Sequence, residues 1–149
     1  MAMTSLRCEV LLGAPPEQVW REITDFASFP SWNPFIRRAS GRLVPGATLE
    51  ITLAVGRRQV RFRPEVTVVD PPHEIRWRAT QAVPGLFDVD RCFLLEPVGA
   101  DSCRFVQAER ARGLLAPLLM PLVRRRILAG YRAMNTALAQ RLSRAGHLR

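Results

Sequence analysis

The longest helical pattern in this chain lies in residues 114–142, which read LLAPLLMPLVRRRILAGYRAMNTALAQRL. Its apolar residues recur every three or four positions, at Val123, Ile127, Tyr131, Met134, Leu138 and Leu142. That spacing predicts an amphipathic helix with one apolar face. Because proline and glycine favour helix ends, we expect the helix to run from near Pro121 to Ala145, with residues 114–120 as a separate or kinked first turn and Gly146 as its end.

Gly130 stands in the middle of this helix, where glycine costs about 1 kcal/mol relative to alanine. Either a sheet approaches the helix closely at this point, or the helix leaves space for something else. A helix with so long an apolar face needs a sheet to cover it, and we expect the remaining residues to supply that sheet.

Before the helix, apolar and polar side chains alternate, which is typical of strands. This alternation predicts strands at residues 4–12, 36–43, 48–55, 59–69, 74–80, 86–96 and 102–112. After the first strand, Pro15 and Pro16 begin a short helix, and the aromatic segment 25–35 contains one further helical turn. The expected architecture is therefore α+β, a strongly bent antiparallel sheet of about seven strands that grips the C-terminal helix, with two short helices after the first strand.

The composition is that of a globular protein with an excess of positive charge. The chain has 149 residues, of which 48% are hydrophobic, and we expect residues 1–149 to form one domain. The net charge of +9 comes entirely from arginine, because the sequence contains no lysine. An excess of basic residues is typical of proteins that bind nucleic acids or anionic membranes. The total replacement of lysine by arginine, however, indicates codon bias as the source of the charge. No recognition-helix or base-stacking pattern accompanies the charge, so we expect no nucleic-acid partner.

Several kinds of protein and site are disfavoured by what the sequence lacks. The amino-terminal residues contain no apolar signal core, and the longest apolar runs are too short for a membrane span, so we expect a cytoplasmic protein. An odd number of cysteines without paired spacing favours free thiols at Cys8, Cys92 and Cys103. His73 and His147 have no partner at metal-ligand or catalytic-triad spacing, and there is no phosphate- or dinucleotide-binding glycine motif. We expect no metal ion and no cofactor.

A series of short motifs follows the order of these elements. They are APPEQVW at 14–20, DF at 25–26, FP at 29–30, WNPF at 32–35, DPP at 70–72, Ile75, Trp77 and AMN at 133–135. Over about the whole chain, the sequence resembles the SRPBCC or START-like superfamily, and more narrowly its bacterial polyketide cyclase/dehydrase and lipid transport group. The resemblance implies a helix-grip fold and a deep cavity for hydrophobic ligands. It leaves the reaction open, because members range from lipid carriers to cyclases and chaperone regulators.

The last predicted hairpin carries polar residues on an apolar face. The strand at 86–96 places Arg91 on the same side as its apolar residues, toward the helix. With a turn near Gly99, Arg91 lies opposite Gln107 and diagonal to Glu109. A charge that faces an apolar wedge must be paired or hydrated, so these three residues are candidate anchors for a ligand head group. The alternatives are a satisfied internal bridge, or a bulge that turns Arg91 toward solvent.

The complete candidate ligand site combines these anchors with the apolar residues expected around a wedge between sheet and helix. Its members are Trp32, Phe35, Leu53, Phe62, Trp77, Phe87, Arg91, Phe93, Phe105, Gln107, Glu109, Met120, Val123, Ile127 and Tyr131. Trp32 and Phe35 lie in the irregular segment, where a gate over the wedge is expected. Tyr131 either presents its hydroxyl to the ligand or packs in the core with a partner, and Asn135 is expected to hydrogen-bond toward the sheet.

We expect this site to bind or transport a hydrophobic or amphipathic small molecule, lipid-like or aromatic polyketide-like, because residues suited to acid–base catalysis are sparse. The alternative is a polyketide cyclase/dehydratase-type enzyme, in which Arg91, Glu109 and Tyr131 polarise a carbonyl and move a proton. A second alternative is a protein-interaction or chaperone-regulator module with a filled wedge and an exposed apolar patch. The arginine run at 124–126 is either an ordinary solvated face or a rim that attracts an anionic membrane surface.

Overall fold

The computed structural model describes residues 4–81, 83 and 85–147. Its elements in chain order are β1 (Thr4–Leu12), α1 (Pro16–Thr24), a 3-10 turn (Phe26–Ser28), α2 (Phe29–Trp32), β2 (Ile36–Ser40), β3 (Glu50–Val55), β4 (Arg58–Phe62), β5 (Glu65–Asp70), β6 (Glu74–Gln81), β7 (Phe87–Pro97), β8 (Cys103–Arg112) and α3 (Ala116–His147). The predicted α+β class is confirmed, with antiparallel strands, short helices after β1 and a long C-terminal helix. In these residues, no helix has an apolar stretch long enough to cross a membrane.

Two antiparallel sheets replace the single sheet that the sequence predicts. The larger has the strand order β1-β8-β7-β6-β5, and the smaller has the order β2-β3-β4. The segment before β3 connects them, because Gly46 N donates to Val66 O over 2.8 Å and Val66 N donates to Ala47 O over 2.8 Å. An isolated bridge between Thr48 and Glu65 extends this pairing. The segment before β3, which belongs to the smaller sheet, is therefore joined to the larger sheet by its hydrogen bonds to β5.

Pro64 accounts for the additional strand. Alternation predicts one strand over residues 59–69, but β4 ends at Phe62 and β5 begins at Glu65. Proline has no N–H to donate to a strand ladder, so it interrupts the pairing at this point. Its carbonyl instead accepts a hydrogen bond from Leu49 N over 2.9 Å, which fixes the break against the segment before β3.

The helix α3 extends beyond the predicted boundaries at both ends. It begins at Ala116, includes Pro121, and continues past Gly146 to His147. Pro121 is the sixth residue of the helix, beyond the four whose N–H groups have no acceptor within it, so the helix forgoes one backbone hydrogen bond there and continues. The stripe residues buried against the sheets are Tyr131, Met134, Leu138 and Leu142.

The close approach of an aromatic ring explains Gly130. A Cβ atom at this position would lie 2.2 Å from Cδ1 and 2.5 Å from Cε1 of Phe35. Phe35 is completely buried, and its ring packs edge-on against Tyr131 with 5.4 Å between ring centroids. The glycine therefore accommodates a close approach, as one of the two explanations requires, but the approaching group is the side chain of Phe35 from the segment before β2 and not the sheet.

Candidate functional site

An apolar cavity of about 200 Å³ lies between α3 and the two sheets. Its lining residues come from β3, β4, β6, β7, β8 and α3, and are Leu53, Val55, Val60, Phe62, Trp77, Ala79, Phe87, Val89, Arg91, Glu109, Met120, Val123 and Ile127. Arg91 and Glu109 are the charged members of this set. Val60 is 42% exposed and marks the side of the cavity that opens to solvent.

Strand and helix periodicity identifies most of this lining from sequence. Of the residues proposed for a ligand site, those that line the cavity are Leu53, Phe62, Trp77, Phe87, Arg91, Glu109, Met120, Val123 and Ile127. Four lining residues were not proposed: Val55, Val60, Ala79 and Val89. Each of the four lies two positions from a proposed residue on the same strand, so the alternation already contains the signal that locates them.

The hairpin of β7 and β8 places Arg91 directly opposite Glu109. The sequence predicts Gln107 opposite and Glu109 diagonal, and this register is wrong. The hairpin is centred on Ala100, one residue after Gly99, and moving the centre by one residue moves every cross-strand partner by two. A bulge that turns Arg91 outward is also excluded, because Arg91 is 3% exposed.

Four aromatic rings surround the guanidinium of Arg91. Its Cζ atom lies 4.6 Å from the ring centroid of Tyr131, 4.9 Å from that of Phe93, 5.1 Å from that of Phe35 and 5.9 Å from that of Trp77. Because an aromatic face carries negative charge density, these rings offset part of the cost of burying the cation. They accept no conventional hydrogen bond, and Arg91 Nε has no hydrogen-bond partner among the described residues.

Gln107 forms the internal bridge between Arg91 and α3. Its Oε1 accepts from Arg91 Nη2 over 2.5 Å, and its Nε2 donates to Asn135 Oδ1 over 2.8 Å and to the carbonyl of Tyr131 over 3.3 Å. Asn135 also donates to Cys8 Sγ over 3.4 Å. The predicted hydrogen bond of Asn135 toward the sheet is confirmed. Gln107 itself does not line the cavity, and its two polar atoms are used within the protein, one on Arg91 and the other on α3.

Glu109 faces the cavity with a buried and unpartnered oxygen. In the described part of the chain, neither Glu109 Oε2 nor the Tyr131 hydroxyl has a hydrogen-bond partner. Burial raises the pKa of Glu109, and the neighbouring Arg91 cation opposes only part of this rise. Burial also raises the pKa of Tyr131. Three hydrogen-bonding groups at or beside the cavity are therefore unsatisfied: Arg91 Nε, Glu109 Oε2 and the Tyr131 hydroxyl. A ligand that carries hydroxyl or carbonyl oxygens could form the missing hydrogen bonds.

The aromatic segment before β2 packs against the residues that form the site, and it does not cover the opening of the cavity. Phe35 lies beneath Arg91 and against Gly130, outside the cavity lining. Trp32 packs edge-on against Phe29, with 5.5 Å between ring centroids, and likewise does not line the cavity. The prediction of a gate is therefore wrong, because aromatic contacts hold this segment in the core.

Asn33 positions Phe35 and was not among the proposed site residues. It is completely buried, and its Oδ1 accepts from the backbone N–H of Phe35 over 3.0 Å and of Ile36 over 2.8 Å. Asparagine is preferred in such turns because its side chain replaces a backbone acceptor. The signal is present in the sequence as the asparagine–proline pair of the WNPF motif. This turn fixes the backbone from which Phe35 reaches Arg91.

Phe93 and Phe105 form part of the core beside the cavity. Their rings stack with 5.8 Å between centroids and an interplanar angle of 10°, and Trp77 packs edge-on against Phe93 at 5.3 Å. Neither phenylalanine lines the cavity. They hold Trp77, which does line it, in position.

A larger depression of about 1010 Å³ extends across β2, β3 and β4 beside α2. Its charged residues include Arg38, Arg61 and Arg63, all of which are exposed. Arg63 pairs with Glu50 over 2.6 Å at the protein surface. Because its charges are hydrated, the depression lacks the desolvated polar groups that distinguish the smaller cavity.

Comparisons with known proteins agree with this geometry. Residues 3–143 match the model of a family described as polyketide cyclase / dehydrase and lipid transport, which confirms the predicted resemblance. No curated protein matches the chain. Among solved structures, a START superfamily protein from Mycobacterium smegmatis is similar at 20% identity and a TM-score of 0.74, over 95% of this chain and 98% of that chain.

Two enzymes are similar at lower identity. The ZhuI aromatase/cyclase from Streptomyces sp. R1128 is 14% identical with a TM-score of 0.77, over 96% of this chain and 95% of that chain. Norcoclaurine synthase from Thalictrum flavum, in complex with dopamine and hydroxybenzaldehyde, is 15% identical with a TM-score of 0.71, over 96% of this chain and 88% of that chain. Identities this low show a shared fold, and the predicted START-like helix-grip architecture is confirmed.

Proposed function

Because the chain belongs to the polyketide cyclase/dehydrase and lipid transport family, we propose that it binds or transports a hydrophobic or amphipathic small molecule in the cavity beneath α3. One observation carries the proposal: an apolar lining meets the buried Arg91 and Glu109, whose hydrogen-bonding atoms are incompletely used. The open cavity also favours ligand binding over a protein-interaction module with a filled wedge. We further propose that residues 1–149 form one START-like domain. We also propose that the protein is located in the cytoplasm, where its free cysteines would stay reduced.

The size of the cavity limits the ligand. About 200 Å³ is smaller than the pockets of about 300–1,000 Å³ that enclose drug-sized molecules. It suits a compound with one or two aromatic rings, or a short acyl chain. The apolar part would pack against Leu53, Val89 and Ile127, and a hydroxyl or carbonyl end would reach Arg91 and Glu109. The complex of norcoclaurine synthase with dopamine and hydroxybenzaldehyde supports this ligand class.

Binding of 2-naphthol, measured by isothermal titration calorimetry, tests the proposal. Ala79 and Val89 line the cavity, so Ala79→Phe and Val89→Phe fill it. Ala108→Phe is the matched control, because Ala108 is a half-buried strand residue outside the lining. We expect the two lining variants to lose at least about tenfold in affinity, equivalent to 1.4 kcal/mol or more, while the control binds like the original protein. No binding to the original protein, or equal binding by all variants, would contradict the proposal.

A cyclase/dehydratase-type activity is the second candidate, favoured by the raised pKa of buried Glu109 beside Arg91 and Tyr131. In a dehydration, protonated Glu109 gives its proton to the departing hydroxyl, which leaves as water. The resulting carboxylate takes the proton from the adjacent carbon as the carbon–carbon double bond forms, while Arg91 holds the carbonyl oxygen. Turnover of an aromatic polyketide precursor tests this candidate. We expect Glu109→Gln to abolish turnover and keep binding, and equal turnover by both proteins would exclude Glu109 from the reaction.

A further inference from the structure

The first half of α3 exposes leucines and arginines side by side. Leu118 is 66% exposed, and Leu122, one helical turn later, is 73% exposed. Leu114, just before the helix, is 78% exposed. Arg125 and Arg126, three and four positions after Leu122 and therefore about one helical turn from it, are also exposed. We call Leu118, Leu122, Arg125 and Arg126 the leucine–arginine face.

This face adjoins the cavity without forming part of it. The residues of α3 that line the cavity are Met120, Val123 and Ile127. At about 3.6 residues per turn, Leu118 and Leu122 point to the opposite side of the helix. On one flank, Arg126 reaches the turn between β3 and β4, because a Cβ atom on Gly56 would lie 3.3 Å from Arg126 Cδ. The face is therefore continuous with the hairpin that carries Val60 at the cavity mouth.

The charge of α3 indicates what covers this face. The helix contains six arginines and no acidic residue. Association with a second copy about a two-fold axis would place the same arginines against each other, which costs free energy. An anionic bilayer satisfies both kinds of side chain, since leucines enter the interfacial region and arginines contact lipid phosphates.

We propose that the leucine–arginine face docks the protein on an anionic lipid membrane, with the cavity mouth at Val60 next to the bilayer. The purpose of docking, transfer of an apolar ligand between bilayer and cavity, rests on the proposed ligand-binding function. The docking itself requires only the exposed side chains of α3. Because the whole protein carries a net charge of +9, a test must separate this face from general attraction to anions.

Co-sedimentation with vesicles provides that test, using phosphatidylcholine alone and an equimolar mixture with phosphatidylglycerol. We expect the full chain to bind the mixed vesicles and to leave them at high salt. The double variant Leu118→Ser/Leu122→Ser keeps the charge and should lose about tenfold in partitioning. Its matched control is Leu11→Ser/Val98→Ser, which removes two other exposed apolar side chains, 62% and 44% exposed, and should bind unchanged.

A second pair of variants tests the arginines at equal net charge. Arg125→Gln should weaken partitioning about fivefold. Arg144→Gln removes an exposed arginine about 28 Å further along α3 and should have little effect. Equal partitioning by Leu118→Ser/Leu122→Ser and its control, or an equal loss in Arg125→Gln and Arg144→Gln, would overturn the proposal, and the second result would favour general electrostatic attraction. A dimer in light scattering that Leu118→Ser/Leu122→Ser dissociates would overturn it in favour of a second copy.

Binding of 2-naphthol without vesicles separates this proposal from the proposed function. If 2-naphthol binds but the leucine variant and its control partition equally, the docking face is rejected and the ligand site stands. If 2-naphthol does not bind but the leucine variant loses partitioning, the docking face stands and the ligand site is rejected.

Discussion

Replacing Gly130 by alanine tests the packing that supports the site. At an exposed helical position this change stabilises a helix by about 1 kcal/mol. In α3, however, the new Cβ would lie 2.2 Å from Cδ1 and 2.9 Å from Cγ of Phe35. Carbon atoms in favourable contact are about 3.5–4.0 Å apart, so the ring must move by more than about 1 Å.

Phe35 has little freedom to make that movement. Its side chain is completely buried, and its backbone N–H donates to Asn33 Oδ1 over 3.0 Å. Overpacking of this kind costs about 1–3 kcal/mol. A clash at the upper end of that range costs about 3 kcal/mol, and the better helix propensity of alanine offsets about 1 kcal/mol of this cost. We therefore expect Gly130→Ala to lower the free energy of unfolding by about 2 kcal/mol. This corresponds to a fall in Tm of about 4–8 °C for a domain of this size.

Thermal and urea unfolding, followed by circular dichroism, measure the effect. Ala129→Gly is the control for helix propensity at the exposed neighbouring position, and it should cost about 1 kcal/mol. In a Phe35→Leu background, where the ring is absent, Gly130→Ala should be neutral or stabilising. The double-mutant cycle should therefore show a coupling free energy of about 2 kcal/mol between the two positions.

Two results would refute this reasoning. Stabilisation of the original protein by Gly130→Ala would mean that Phe35 does not occupy the space next to the helix. An equal loss of stability with and without the Phe35 ring would mean that another group opposes the new methyl. Because Phe35 lies 5.1 Å from Arg91 Cζ, the same variant should also weaken 2-naphthol binding.

Two further predictions concern Glu109 and Asn33. Because the pKa of folded Glu109 is raised above its ordinary value of 4.5, the original protein should lose stability relative to Glu109→Gln as the pH rises from 4.5 through the raised pKa. Urea unfolding over this pH range should show the difference growing, and a constant difference would refute the raised pKa. Asn33→Ala leaves two buried N–H groups without their acceptor and should cost about 2–4 kcal/mol. A loss in urea unfolding below about 1 kcal/mol would mean that the Asx turn contributes little.

Periodicity predicts the secondary structure well because it records which side of each element is buried. The first predicted strand, residues 4–12, coincides with β1, and the long apolar stripe is the buried face of α3. The main errors occur at two prolines. Pro64 divides a predicted strand, because proline has no N–H to donate to the ladder. Pro121 stays inside α3, where its missing N–H removes one hydrogen bond from a helix of 32 residues.

Local sequence is sufficient to place Arg91 and Glu109 toward the helix, since side chains alternate along a strand with a period of two. It is not sufficient to choose their neighbours. The register depends on the centre of one turn, and the rings around Arg91 come from residues far apart in the chain, Phe35, Trp77 and Tyr131. Tertiary packing alone brings these groups together, buries Phe35 against Gly130, and leaves Glu109 Oε2 without a hydrogen-bond partner among the residues that the structure describes.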